Sequence, residues 1–174
     1  MNHKKKQYWG IGGAGIIFIC PEDSTVYLQK RSHKVSGGRG QYGYPGGGIH
    51  IDDREEFHEV PISEEFVLND NDSVFYKNAV LECQEECGSV PKHIVVDEFI
   101  YIDQGFKYKT FIVLLSLYEK EIWNPIPEGP SAWEIYQNPD GSYEQGWFSI
   151  DSFARLDLFF GFTPELLGKI IAYA

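Results

Sequence analysis

One stretch of helical spacing, SVFYKNAVLECQEEC (residues 73–87), stands among short β-branched and aromatic runs. A helix of this kind cannot bury its apolar side alone, so the neighbouring strands must supply a sheet for it. AGIIFIC (14–20) ends at Pro21 and reads as a strand. STVYLQKRS (24–32) alternates after the turn residues PEDS, and the two together predict a hairpin. HIVVDEFIYID (93–103) and YKTFIVLLSLYE (108–119) predict two further strands joined near QGFK. GWFSIDSF (146–153) reads as a short strand or turn. TPELLGKIIAYA (163–174) predicts a closing helix, capped by Thr163 with Pro164 at its first position. For the central helix, Asp72 or Ser73 serves as N-cap, and Gly88 followed by Pro91 as the stop. Strands mixed with one central and one terminal helix predict a single α/β or α+β domain spanning 1–174.

The connections are distinctive. SGGRGQYGYPGGG (36–48) is a glycine-dense loop carrying Tyr42 and Tyr44. From Ile51 to about Asp72 the chain is acidic, irregular and split by Pro61, which predicts a loop or small subdomain. The segment IWNPIPEGPSAWEIYQNPDGSYEQG (122–146) reads as a proline- and glycine-rich connection. With 174 residues the chain can bury a core without a disulfide or metal staple.

Charge narrows the partners. A net charge of -11 argues against sequence-independent nucleic-acid binding, which needs Lys and Arg to neutralise phosphates. Acidic clusters attract divalent cations, which can in turn recruit an anionic substrate. The three cysteines do not suggest a disulfide framework. HKKK near the start is not followed by an apolar signal segment, and GIIFIC is too short to cross a bilayer. The expectation is a soluble, cytoplasmic protein with no membrane partner.

GIGGAG (10–15) matches a dinucleotide-binding glycine pattern by letter, but a strand follows it where a helix should. It reads as a flexible entry into the first strand. Cys83 and Cys87, at i and i+4, share a helix face and present either a thiol metal site or small core residues. Zinc would need two more soft ligands, and Cys20, His50, His58 and His93 offer no matching spacing. Packing is the reading adopted for the thiols. Glu82, Glu85 and Glu86, at i, i+3 and i+4, project from one side of the helix. They repel one another, and Lys77 and Lys92 lie outside the cluster. A hard cation such as Mg²⁺ would relieve that repulsion and keep waters for substrate phosphates.

GYPGGG followed by AVLECQEECGSV resembles the signature of the Nudix hydrolases, G-x5-E-x7-R-E-U-x-E-E-x-G-U, where U is bulky and aliphatic. Gly47 takes the first glycine, and Glu82, Glu85, Glu86 and Gly88 take the second half in register. QYGYPGG looks like the family's aromatic-Pro-Gly-Gly lead-in, and GWFSIDSF like its late Trp strand. Leu81 stands at the Arg position, Cys83 and Ser89 at bulky ones. Neither Asp53, counting forward, nor Ser73, counting back, supplies the first Glu, because an insertion of about 54–72 separates the halves. A different brace for the helix is expected from that insertion, with Asp52, Asp53, Glu55 or Glu56 as contributors.

The resemblance implies an α/β/α sandwich, with a mixed central sheet, a catalytic loop-helix and a C-terminal helix. It implies a metal-dependent pyrophosphohydrolase, in which water attacks phosphorus of a nucleoside diphosphate linked to another moiety. The alternative is a non-catalytic Nudix-fold module that binds or senses a nucleotide. Glu82, Glu85, Glu86 and Gly47 would form the Mg²⁺ or Mn²⁺ site. Glu85, Glu86 and Glu144 would be the catalytic carboxylates, with Glu86 or Glu144 as base. Arg31, Arg39, Tyr44 and Tyr108 are the substrate-binding candidates. The expected partner is a nucleotide-type small molecule. Nucleic acid is not expected apart from a capped RNA end, and the insertion reads as a lid, a specificity element or the arm of a homodimer.

Overall fold

A computed structural model of the protein describes residues 12–49, 72–103, 106–127, 131–159 and 161–174. The N-terminal HKKK run, His50, His58 and the insertion with its acidic brace candidates lie outside these residues. The strands are β1 (Gly12–Cys20), β2 (Thr25–Lys30), β3 (Tyr42–Gly43), β4 (Gly46–Gly48), β5 (Val95–Asp103), β6 (Phe106–Leu114) and β7 (Gln145–Ser149). The α-helices are α1 (Asp72–Cys87), α2 (Leu117–Ile122) and α3 (Pro164–Tyr173). All seven strands join one mixed sheet in the order β3-β2-β1-β6-β5, with β4 on β1 and β7 on β2.

β1 is its centre. Every residue from Gly12 to Cys20 is buried, and the run pairs in parallel with β6 from Gly12↔Lys107 to Ile19↔Leu114. Because side chains alternate along a strand, β1 serves both faces. Ala14, Ile16 and Phe18 join a core with Phe111, Val113 and the α1 residues Val74, Phe75, Ala79, Cys83 and Cys87. Ile17 and Ile19 join another with Val26, Leu28, Ile112 and the α3 residues Leu166 and Ile170. The result is the expected mixed α/β sandwich, with α1 against one face of the sheet and α3 against the other.

α1 earns its place by a four-residue period. Phe75, Ala79, Cys83 and Cys87 are all buried, one above another on the sheet side. Gly88, with φ 71°, ends the helix in the left-handed region and donates back to the Gln84 carbonyl at 2.9 Å. All three cysteines are buried free thiols. Burial pushes the Cys87 thiol well up, which disfavours the thiolate a metal requires.

Three expectations need correction. The Gly12–Gly15 stretch is no flexible entry, since it is the buried first half of β1. The glycine-dense loop contributes two short strands, β3 and β4. The run YKTFIVLLSLYE does not stay extended to Glu119, because β6 ends at Leu114 and α2 begins at Leu117. Ser116 and Glu119 form a reciprocal capping box there, a local signal strong enough to turn the chain. Among the described residues no helix is long and apolar enough to cross a membrane.

Candidate active site

A second period of four runs beside the core stripe of α1. Asn78, Glu82 and Glu86 lie one turn apart, and each meets the β4 segment. Asn78 Nδ2 donates to the Gly47 carbonyl at 3.1 Å. A Cβ on Gly47 would fall 2.5 Å from Glu82 Cδ and Oε2, so the Glu82 carboxylate lies against the bare Cα of Gly47. The Gly46 N–H donates to Glu86 Oε2 at 3.0 Å. A Cβ at residue 47 would push the Glu82 carboxylate out of this position.

Glu86 is buried, and burial pushes its carboxyl well above the usual carboxylate range. Glu82 and Glu134 push it the same way, whereas the Gly46 N–H and the Arg31 guanidinium oppose the shift. Three carboxylates thus share one electrostatic neighbourhood. Glu134, on the short 3₁₀ turn Ala132–Glu134, is the one that sequence reading missed. Glu85 points elsewhere and accepts from Ser131 Oγ at 2.9 Å.

Asn78 is fully buried, and its Oδ1 has no hydrogen-bond partner. The amide orientation is fixed by its neighbour: the atom facing the Gly47 carbonyl must be the donor nitrogen. An unpaired buried acceptor of this kind costs about 1–3 kcal/mol. Glu82, Glu86, the Gly47 carbonyl and Asn78 Oδ1 all offer oxygen, the donor type that suits a hard divalent cation. Among the described residues no three His, Cys, Asp or Glu side chains are grouped closely enough to hold a metal by themselves. The neutral oxygens of Asn78 and Gly47 therefore matter to the fit.

The far end of α1 is also braced. The Gln29 side-chain amide, itself buried, donates to the Glu86 carbonyl at 3.2 Å and reaches Gln145 Oε1 at 3.2 Å. The Ile126 N–H takes the Cys87 carbonyl at 2.7 Å. These bonds fix the helix on the sheet although Leu81 offers no charged anchor.

The other candidates divide. Tyr108, on β6, packs over β1 and β4: its ring meets the space a Cβ on Gly13 would need, and its hydroxyl that of Gly15 and Gly46. Burial raises its pKa, and Tyr44, Glu86 and Glu82 add to the rise. Tyr44 shares a 2.6 Å hydrogen bond with Thr110 and packs edge-on against Phe162. Arg31 donates through Nε to the Gly37 carbonyl at 3.0 Å, stacks 4.7 Å from the Phe159 ring centre, and acts electrostatically on Glu86. Arg39 is exposed and donates to the Val35 carbonyl at 2.7 Å. Glu144 accepts from Tyr42 at 3.1 Å and Asn138 at 3.2 Å, which holds it in the β3 and 138–144 network.

Asn78 and Gln29 carry no charge and stand at no specified position of the signature; the four-residue spacing of 78, 82 and 86 is the one signal that could have found the first of them. Glu134 lay within a connection that gave no local pattern.

The arrangement is that of the Nudix fold. A Nudix hydrolase from Alicyclobacillus acidocaldarius superposes with a TM-score of 0.55 at 13% identity, covering 92% of this chain and 90% of its own. RenU, a Nudix hydrolase of M. smegmatis, gives 0.53 at 21% identity, covering 92% and 85%. The NUDIX domain of Shewanella oneidensis NrtR, solved with ADP-ribose, gives 0.51 at 14% identity, covering 98% and 93%. No protein-family model and no curated protein matches the sequence.

Proposed function

We propose that this chain is a divalent-cation-dependent hydrolase that cleaves the pyrophosphate of a nucleoside diphosphate linked to another group. The observation that carries the reading is the register of Asn78, Glu82 and Glu86 on Gly46 and Gly47. It sets two carboxylates and a backbone carbonyl at the edge of the sheet. Mg²⁺ or Mn²⁺ held by Glu82 and Glu86 with the Gly47 carbonyl would neutralise phosphate charge and acidify a water. Glu85 belongs to the second half of the signature and stands one turn from Glu82. Its bond to Ser131 makes it the carboxylate that orients the 131–134 turn in the absence of substrate.

The residues then have separable tasks. Arg31 supplies positive charge beside Glu86 and is the phosphate contact of choice, with Arg39 at the exposed end of the same loop. Tyr44 and Tyr108 pack against the glycines of β1 and β4 beside these carboxylates. Trp133 is exposed on the turn that bears Glu134 and offers a stacking plane for a base. Proton abstraction from the attacking water falls to a carboxylate near Glu86, and the position of Glu134 favours it over Glu144.

A second reading is a nucleotide-binding module without turnover. Leu81 at the signature Arg position favours it, and the NrtR domain holds ADP-ribose on the same fold. One experiment separates the two. The protein is incubated with Mg²⁺ or Mn²⁺ and a panel of NTPs, ADP-ribose, NADH, dinucleoside polyphosphates, nucleotide sugars and capped RNA. Hydrolysis lost on Glu82→Gln and Glu86→Gln is the expected result. Binding of a nucleotide with no turnover of any compound would give the case to the module, and turnover untouched by both substitutions would overturn the site.

A further inference from the structure

We propose that Asn78 is an oxygen donor of the cation site, its Oδ1 binding the divalent ion directly or through one ordered water. The inference rests on the reading of Glu82 and Glu86 as cation-holding carboxylates. Its own basis is separate. Asn78 is completely buried, so bulk water does not serve its Oδ1. The Nδ2 is committed to the Gly47 carbonyl, so the free atom is an acceptor that calls for a donor or a cation.

Its location favours the cation. Asn78 is one turn before Glu82 on the same helix stripe, and both side chains meet Gly47. Apart from Asn78 Nδ2, which is spent on Gly47, the polar side-chain atoms of the 78–82–86 stripe are oxygens: two carboxylates and one amide oxygen. A donor-rich group would find partners here, but the stripe itself supplies none for Oδ1. A hard cation accepts carboxylate and amide oxygens together, so an ion held beside Glu82 would also serve Asn78 Oδ1. The amide acts twice, through Nδ2 to hold the Gly47 carbonyl and through Oδ1 toward the ion.

The two roles separate by substitution. Asn78→Leu keeps the shape and removes both. Asn78→Asp keeps an oxygen at the Oδ1 position, adds charge and loses the donor to Gly47. Mn²⁺ affinity of the full-length protein, measured by electron paramagnetic resonance of the unbound ion, reads the outcome without turnover. The rise in Tm on adding Mn²⁺ reads it a second way. Asn78→Leu is expected to bind Mn²⁺ at least tenfold more weakly, and Asn78→Asp as tightly as the native protein or more so.

Equal weakening in both variants would make Asn78 a brace for Gly47 alone and overturn the inference. Affinity in Asn78→Leu within threefold of native would overturn it too. Should Asn78→Leu not fold, Asn78→Asp decides: retained affinity supports the oxygen ligand and a tenfold loss rejects it. Glu82→Gln keeps the two hypotheses apart. If it abolishes Mn²⁺ binding while Asn78→Leu does not, the cation reading stands and only the Asn78 ligand falls. If the native protein binds no Mn²⁺, or Glu82→Gln binds it undiminished, the cation reading itself falls.

Discussion

The carboxylate of Glu82 rests on the bare Cα of Gly47, with no room between them for a methyl group. The obstructing atoms are the end of a flexible side chain, so Gly47→Ala can be accommodated by swinging Glu82 aside. The substitution should change stability by no more than about 1 kcal/mol, the ordinary scale for a site that can relax. Hydrolysis in the native assay should fall at least tenfold, because the displaced group is a proposed cation ligand. Urea denaturation beside initial rates checks both halves.

Glu86 gives the opposite pattern. Its carboxyl is held in a buried site where desolvation, Glu82 and Glu134 all disfavour the charge. Its folded pKa is raised, so the folded state keeps a proton that the unfolded chain releases, and stability falls as pH climbs from the unfolded value. Glu86→Gln retains an acceptor for the Gly46 N–H and removes that penalty. With metal chelated, this variant should melt above the native protein at pH 7, and the gap should shrink toward pH 4. Activity with Mg²⁺ should be lost.

Glu134 and Glu144 make a paired test. Glu134 acts on Glu86, whereas Glu144 is engaged by Tyr42 and Asn138. Glu134→Gln should lower kcat at least a hundredfold and alter the acidic limb of the pH–rate profile, within the range expected for a general base. Glu144→Gln should leave kcat within about tenfold of native, a loss too small for removal of a general base. The reverse ranking would return the base to Glu144.

Away from the site, Asp97 ties β5 to α3. Lys169 Nζ meets Asp97 Oδ2 at 2.6 Å, and Tyr173 donates to the same oxygen at 3.2 Å. The Lys169 hydrogen bond lowers the Asp97 pKa. A depressed folded pKa stabilises above the unfolded value near 3.9 and ceases to do so as pH falls through the folded one. Asp97→Asn should therefore lower the urea midpoint at pH 7 and match the native protein near pH 2.

Much of the fold was legible because periodicity reports burial. The longer strands and both long helices follow from β-branched and aromatic runs and from helical spacing, and Glu82, Glu85 and Glu86 sit on the helix their spacing implied, whereas Gly47 falls in the short strand β4. Two kinds of feature escaped. The Gly12–Gly15 stretch reads as mobile because glycine carries no pattern, yet its smallness is what admits Tyr108 and β4 against β1. α2 was hidden because LLSLYE continues an apolar run, and the capping serine inside it outweighed the strand preference. Among the described residues, the bonds that hold α1 include those of two neutral amides, Asn78 and Gln29, which no charge pattern marks.

Those amides have a consequence for how the chain can vary. α1 is keyed to β4 by side chains at residues 78, 82 and 86, so the alignment of the two is set where they touch. Adding one residue within α1 between Asn78 and Glu86 would turn the two ends of the stripe about 100° out of line. The length of the helix between these contacts is thus fixed, and an insertion there would cost the stripe its match to β4.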